Sequence, residues 1–257
     1  TKLMGKNIHY DGKKLTPELL KRQIRSYYAC LDINKEKAID FFGVKAQPEL
    51  TDNFTTEDII DAFSNDPYDF EGPKEPVVCA TEADMDGALT MELFKHVTGE
   101  PVLFADVRHY NDKFKFFDLC NSGAHATFFA GRSKRPEDNL PLVHFWPEIF
   151  YFPAGGASVM HFARPGEVTL ARLTRRNGKY WMAIVPAEFM LFEDEVNWAL
   201  AKETTPEWPH AFARLKVSAD EFLASYDSNH IHGCYGNWVD ELVAIAKILN
   251  IDYRIYA

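Results

Sequence analysis

Two acidic residues follow predicted strands in the first half of the chain. Glu82 comes directly after an apolar segment, residues 76–81, and Asp106 ends a second one, residues 101–106. Residues 84–97 repeat apolar side chains at helical spacing, so the segment predicts a strand–helix–strand unit. A right-handed crossover makes such strands parallel, and ligands bind beyond their carboxyl ends. If the strands are neighbours, both carboxylates can reach one cation. Position alone equally allows two solvent-facing loop acids.

Histidines supply the other candidate ligands. His230 and His232 are alternate residues of a short polar segment between two predicted helices, and alternate residues of an extended segment point the same way. His125 is a third candidate. Glutamate, aspartate and histidine together with water suit a divalent cation such as Mn²⁺. A histidine is more often satisfied by hydrogen bonds than by a metal, so the residues alone leave the choice of ligand open.

The elements that must position these residues change in character near residue 100. Before it, helices predicted at residues 16–30, with Thr16 as N-cap and Pro17 at the first helical position, and at 55–64 accompany the strand–helix–strand unit. After it, strand-like segments rich in aromatic and β-branched residues dominate. These segments are residues 113–120, 144–151, 158–162, 168–174 and 180–186. Their succession predicts an antiparallel sheet or small barrel.

Local signals mark the rest of this second part. Asn177-Gly178 separates two of the strand-like segments and predicts a hairpin turn. Two helices, at residues 217–226 and 237–249, precede a last strand near 252–256. The whole chain is therefore predicted to be an α/β protein whose second part is mostly antiparallel β with flanking helices.

Composition excludes several classes of protein. The chain has 257 residues, 46% of them hydrophobic, and a formal net charge of −10. The acidic balance argues against nucleic acid or an anionic membrane as a partner. No segment approaches the roughly 20 apolar residues that span a bilayer, and the polar first residues do not predict a signal peptide. Four widely spaced cysteines without a CxxC pair indicate reduced thiols, so we expect a cytoplasmic protein.

Eight short motifs follow one another from about residue 40 to the C terminus. They are Lys45–Leu50, Thr81–Asp84 with Gly87, Phe104–Arg108, Asn121–Gly123, Gly155–Gly156, Thr169–Leu173, Trp208–Pro209 and Ser228–His230. In order and spacing this set resembles the L-fucose isomerase family of metal-dependent aldose–ketose isomerases. No single motif is specific, whereas the ordered set is.

The resemblance implies a particular metal and sugar site. The cofactor implied is Mn²⁺ or another divalent cation, and the ligands implied are Glu82, Asp106 and His230. His230 is thereby chosen over His232. The sugar-binding positions implied are Gln47, Ser122, Trp208 and Asn229.

Three positions depart from the family pattern. Ile231 replaces the glycine usual after the histidine, and Phe189 stands where a sugar-contacting tyrosine is found. His125 resembles a metal-ligand histidine of the related arabinose isomerases, which would add a fourth ligand. These departures concern the identity of the sugar more than the type of reaction.

The activity implied is isomerisation of an L-fucose- or D-arabinose-like sugar through an enediol. The cation would stabilise the charge that develops on the sugar oxygens, and Glu82 and Asp106 would share the acid–base work as catalytic residues. The alternative is a divergent, non-catalytic sugar-binding relative or an inactive fragment of such an isomerase. A metal-dependent hydrolase built on the same residues lacks any supporting motif.

The resemblance also implies what surrounds the chain. Family members are longer, so we expect the C-terminal part of a Rossmann-like α/β domain followed by a barrel-like C-terminal domain. In this division residues 1–100 form a partial α/β sandwich domain with one metal ligand, and residues 101–257 complete the metal and sugar site. The family assembles as a hexamer in which a neighbouring subunit's N-terminal domain covers the site. The expected partners are therefore a sugar substrate, further copies of the protein, and the N-terminal portion of the full-length protein.

Overall fold

Two sheets organise the chain. The computed structural model describes residues 4–123, 125–148 and 153–257. The elements in chain order are α1 (Pro17–Lys37), β1 (Phe41–Gly43), α2 (Glu49–Asn53), α3 (Asp58–Asn65), β2 (Val78–Ala80), α4 (Met85–Thr98), β3 (Leu103–Asn111), β4 (Phe116–Cys120), α5 (Phe128–Gly131), α6 (Pro136–Asn139), β5 (Gly166–Arg176), β6 (Lys179–Met190), α7 (Asp194–Ala201), β7 (His210–Leu215), α8 (Ala219–Ser225), β8 (His230–Tyr235), α9 (Val239–Ile248) and β9 (Asp252–Ile255). Within the described part of the chain, β1 and β2 form a parallel pair and the other strands form one large sheet.

The large sheet closes on itself. Its strand order is β5-β8-β3-β4-β7-β6-β9, and β5 also pairs with β6, so six antiparallel strands make a ring. β9 adds in parallel to β6 outside this ring. Apolar side chains such as Phe117, Phe189 and Ile231 fill a common core. This arrangement confirms the expected α/β class with a mostly antiparallel second part and flanking helices.

Local sequence signals are confirmed where they act within a few residues. Thr16 caps α1 by accepting a hydrogen bond from the Leu19 amide, and Pro17 is the first helical residue. In the β5–β6 hairpin Arg176 lies opposite Lys179, and the turn residues Asn177 and Gly178 have φ values of 52° and 76°. The end of the predicted strand 144–151, from residue 149 onward, lies outside the described residues.

The predicted parallel pairing of the strands before Glu82 and Asp106 is wrong. β2 pairs with β1 instead, whereas β3 runs antiparallel to both β4 and β8. β3 pairs with β4 over five positions and with β8 over four. The three residues of β2 all pair with β1. α4 packs between the two sheets through a shared apolar core that includes Met91 and Phe94. Glu82 and Asp106 are therefore brought together by a helix bridging two sheets, and not by neighbouring strands.

The N-terminal helices share a core with residues far along the chain. Leu20 and Phe63 pack in one cluster with Phe145 and Val159. The division of the chain at residue 100 stays a prediction.

Within the described ranges, no helix combines the length and apolarity needed to cross a membrane.

Gly123 joins the sheet to helix α3 by close contact. Its φ is +60°, and a Cβ there would lie 2.2 Å from the Asp58 Cα. A larger residue would be strained in this left-handed conformation, and its Cβ would clash with the backbone of Asp58. This glycine therefore sets the spacing between α3 and the loop after β4.

We predict that Gly123→Ala costs about 3 kcal/mol of unfolding free energy, because it adds overpacking to left-handed strain. Gly178→Ala is the matched control: its φ is +76° but no atom lies near the added Cβ, so about 1 kcal/mol is expected. Urea unfolding of both variants measures the difference. Equal losses would contradict the close-contact explanation.

Candidate metal and sugar site

A strained turn presents Glu82. The turn Thr81–Ala83 follows β2, and Glu82 and Ala83 have φ values of 56° and 53°. Two consecutive non-glycine residues in the left-handed region are costly, and such strain collects at functional sites. The Ala83 amide donates to the Val44 carbonyl at 3.1 Å, which ties the turn to the end of β1. The Glu82 side chain is left half exposed.

The antiparallel pairing of β3 with β8 places Asp106 directly opposite His230. The His230 Nε2 lies 3.3 Å from the Glu82 Oε2 and 3.3 Å from the Asp106 Oδ1. Nevertheless Nε2 has no well-aligned hydrogen-bond partner among the described residues. Two carboxylate oxygens, one from Glu82 and one from Asp106, thus approach this one ring nitrogen. This donor set fits a borderline divalent cation such as Mn²⁺.

Asp84 orients the His230 ring through the second ring nitrogen, Nδ1. The His230 Nδ1 donates to the Asp84 Oδ2 at 2.6 Å, and the Arg172 guanidinium holds the same carboxylate with contacts of 2.5 and 3.1 Å. A carboxylate on the outer nitrogen is the usual support of a metal-binding histidine. The His232 Nε2 lies 3.0 Å from the same guanidinium. The two histidines therefore face different groups.

The charges in this cluster are strongly coupled. Burial lowers the pKa of His230, but contacts with Asp106, Asp84 and Glu82 outweigh it and raise this pKa to about 11. Burial raises the pKa of Asp84, yet hydrogen bonds from His230 and Arg172 hold it well below its usual range. A cation at Nε2 would take the place of the His230 proton.

Asp106 is held on both oxygens. The side-chain amides of Asn121 and Asn229 donate to its Oδ1 at 3.0 and 3.1 Å. The Arg108 guanidinium approaches its Oδ2 at 3.4 Å. Asn229, predicted to bind sugar, therefore acts on Asp106 in this structure.

A cavity of about 120 Å³ lies beside these groups. It is lined by Gln47, Glu57, Thr81, Glu82, Asp106, Arg108, Asn121, Ser122 and Trp208. Three of the four predicted sugar-binding residues, Gln47, Ser122 and Trp208, are thus next to both predicted catalytic carboxylates. The Trp208 Nε1 donates to the Glu148 Oε2 at 2.9 Å, and Arg108 stacks over the indole 4.9 Å from its ring centre.

Glu57 and Arg108 also line the cavity, and the sequence pattern predicts a role for neither of them. Arg108 follows Asp106 by two residues on a strand, and this spacing places both side chains on one face, so the signal was present. Glu57 precedes α3, where an acidic residue usually indicates a solvated helix start. Its inward position depends on contacts distant in sequence.

Two departures from the family pattern lie away from the cavity. His125 is fully buried beside His161, with ring centres 5.9 Å apart, and does not line the cavity. Phe189 packs against Tyr235 in the core of the ring. The structure therefore gives no contact of either residue with Glu82, Asp106 or His230 among the described residues.

A second donor group lies in the large sheet. Asp118, Cys120 and His210 are buried and offer ligand atoms within 4.8 Å of one another, so the described part of the chain contains a group able to hold a metal. Its polar atoms already have partners: the His210 Nδ1 lies 3.0 Å from Asp118, and the Nε2 lies 3.1 Å from the Thr205 carbonyl. Cation binding would have to break these hydrogen bonds.

Comparison with known proteins matches this architecture to sugar isomerases. Residues 119–256 match the C-terminal domain of L-fucose isomerase, and residues 32–99 match the second N-terminal domain of L-fucose isomerase. The chain therefore belongs to the L-fucose isomerase family. The L-fucose isomerase of Vibrio vulnificus is 24% identical over 254 residues, and that of Streptococcus pneumoniae serotype 4 is 27% identical over 259. Each match covers 83% of this chain and 44% of the relative, so the chain spans less than half of their length.

We predict that Asp84→Asn weakens Mn²⁺ binding by about 10- to 100-fold, because it removes the carboxylate that orients His230. Asparagine caps a helix as well as aspartate does, so α4 should persist. Asp86→Asn is the matched control, since Asp86 pairs with Arg175 at the surface. Calorimetric titration of Mn²⁺ into each variant provides the measurement. Equal affinity of D84N and the unmodified protein would show that Asp84 does not support a ligand.

Proposed function

We propose that the protein containing this chain is a metal-dependent aldose–ketose isomerase for an L-fucose- or D-arabinose-like sugar. The supporting observation is that Glu82 and Asp106 meet the unpartnered Nε2 of His230 beside a cavity lined by predicted sugar-binding residues. Membership of the L-fucose isomerase family supports the same reaction class.

Glu82, Asp106 and His230 would hold the divalent cation, for which Mn²⁺ is our proposal. When bound, this ion supplies positive charge that stabilises negative charge developing on the sugar oxygens. Asp84 and Arg172 keep the His230 ring in the orientation that directs Nε2 toward the two carboxylates.

The reaction requires one proton to move between C2 and C1 and another between their oxygens, through an enediol. Glu82 is suited to the carbon-bound proton, because its carboxylate is half exposed and free to approach the substrate. It would accept the proton from C2 of the aldose and return it to C1. Asp106 is fixed by Asn121 and Asn229, so it would assist the proton that moves between oxygens without changing position.

The remaining cavity residues suit a polyhydroxylated substrate. The Gln47 amide offers donors and an acceptor, the Ser122 hydroxyl, which donates its proton to Asp58, offers an acceptor, and the Arg108 guanidinium offers donors only. The Trp208 indole forms an apolar wall whose orientation is fixed by its hydrogen bond to Glu148. Such a mixture binds a sugar through hydroxyl contacts along one side and ring packing along another.

The site is open where Glu82 is exposed. We propose that the protein works as a homo-oligomer, a hexamer by family resemblance, in which the N-terminal portion of a neighbouring subunit covers this opening. Exclusion of water would protect the enediol and strengthen the electrostatic contacts. The full-length protein is therefore the proper material for activity measurements.

We predict that Glu82→Gln in the full-length, Mn²⁺-loaded protein lowers kcat for L-fucose by at least about 10²- to 10⁴-fold, because the amide cannot accept the proton. Glu36→Gln, an exposed change on α1, serves as control and should isomerise like the unmodified protein. A ketose assay with L-fucose and D-arabinose measures turnover, and circular dichroism confirms folding.

Two outcomes would overturn the proposal. Wild-type turnover by E82Q would remove Glu82 from the chemistry. Sugar binding without isomerisation by the unmodified full-length protein would favour a divergent, non-catalytic sugar-binding relative.

A further inference from the structure

Glu57 is a third carboxyl group in the cavity, beside Glu82 and Asp106. Its side chain is almost completely buried, with 3% of the residue exposed. The Oε2 atom has no hydrogen-bond partner within the described ranges of the chain. A buried carboxyl oxygen without a partner is costly, and native proteins rarely retain one without a role.

The neighbouring acids of α3, Asp58 and Asp61, differ from Glu57 in their position relative to the cavity. The Ser122 hydroxyl donates to the Asp58 Oδ2 at 2.9 Å, and the Asp61 Oδ1 accepts from the Cys79 thiol at 3.1 Å. Neither Asp58 nor Asp61 lines the cavity. The Asp61 Oδ2 also lacks a partner among the described residues, but of these three acids Glu57 is the one that lines the cavity.

The surroundings of Glu57 favour its neutral form. Burial, followed by the charges of Asp61 and Asp58, raises the pKa of Glu57 well above its usual range. A neutral carboxyl both donates and accepts a hydrogen bond, as a sugar hydroxyl does. The two groups are therefore complementary whichever of them donates.

We propose that Glu57 is a sugar-recognition residue, which exchanges a hydrogen bond with one hydroxyl of the sugar in the cavity that holds Glu82 and Asp106. This inference rests on the proposed isomerase function and adds a specificity determinant to it. A buried polar group that needs a substrate hydroxyl rejects analogues lacking that hydroxyl, because it is then left unpaired. Glu57 therefore selects among sugars by the presence and configuration of one hydroxyl group.

The test uses the full-length, Mn²⁺-loaded protein and L-fucitol, the open-chain alcohol of fucose, as a non-reacting probe. Glu57→Leu replaces the carboxyl with an apolar group of similar size, and Glu57→Gln keeps a donor and an acceptor. Asp66→Asn is the matched control, a buried acid at the end of α3 that lies outside the cavity lining. Calorimetry measures fucitol affinity, steady-state kinetics measure KM and kcat for L-fucose, and thermal melting reports folding.

We expect E57L to weaken fucitol binding and raise KM by about 10- to 100-fold, with kcat changed by less than about threefold. E57Q should lose less than about fivefold in affinity, since one hydrogen bond is retained. D66N should bind as the unmodified protein does. A panel of deoxy analogues then identifies the hydroxyl that contacts Glu57. The analogue that lacks this hydroxyl should bind to E57L and to the unmodified protein with the same affinity.

Wild-type fucitol affinity in folded E57L would overturn the inference. If E57L does not melt cooperatively, Glu57→Ala is used instead, because its small side chain cannot overpack the site. Wild-type fucitol affinity in this folded variant would likewise overturn the inference. If the unmodified protein isomerises fucose and E82Q does not, while E57L binds fucitol normally, the proposed function stands and only the role of Glu57 falls. An unmodified protein that neither binds fucitol nor isomerises fucose would contradict both.

Discussion

The compensation of charge around His230 is the interaction on which the site depends. Glu82, Asp84 and Asp106 all approach one largely buried imidazole. Carboxylates gathered around one buried group repel each other where water is scarce, so opposing charges stabilise them. Arg172 supplies one for Asp84 and Arg108 supplies one for Asp106, whereas the imidazolium, or the cation that would replace its proton, faces both Glu82 and Asp106. These acidic residues can lie close together in the fold only because positively charged groups lie beside them.

Helix α4 fixes the relative positions of these charged groups. Its N-cap is Asp84, so the residue that orients His230 is also the residue that begins the helix. The helix packs on both sheets, and the strained turn carrying Glu82 lies just before it. One element therefore determines how the short parallel pair and the strand ring approach each other. Strain in the turn persists because both sheets constrain its ends.

Prediction from the sequence succeeded where signals were local and failed where pairing was distant. The Asn177-Gly178 hairpin follows from turn chemistry, which needs only neighbouring residues. The convergence of Glu82 and Asp106 was expected from parallel strands and instead arises from the register that sets Asp106 opposite His230. Such register connects residues more than a hundred positions apart, and periodicity carries no information about it. The strand pairing predicted from the sequence is therefore wrong, and the roles of these residues stay a prediction.

The cavity also shows how one residue type can serve different purposes. Asp106 accepts from two amides and faces a guanidinium, whereas Glu57 lies buried with an unpartnered oxygen. Environments that differ in this way leave neighbouring carboxyl groups in different hydrogen-bonding states. Glu82 forms a third case, since about half of its side chain is exposed to solvent. Because each state follows from contacts supplied by distant segments, the chemistry of the three acids is a property of the fold and not of their sequence positions.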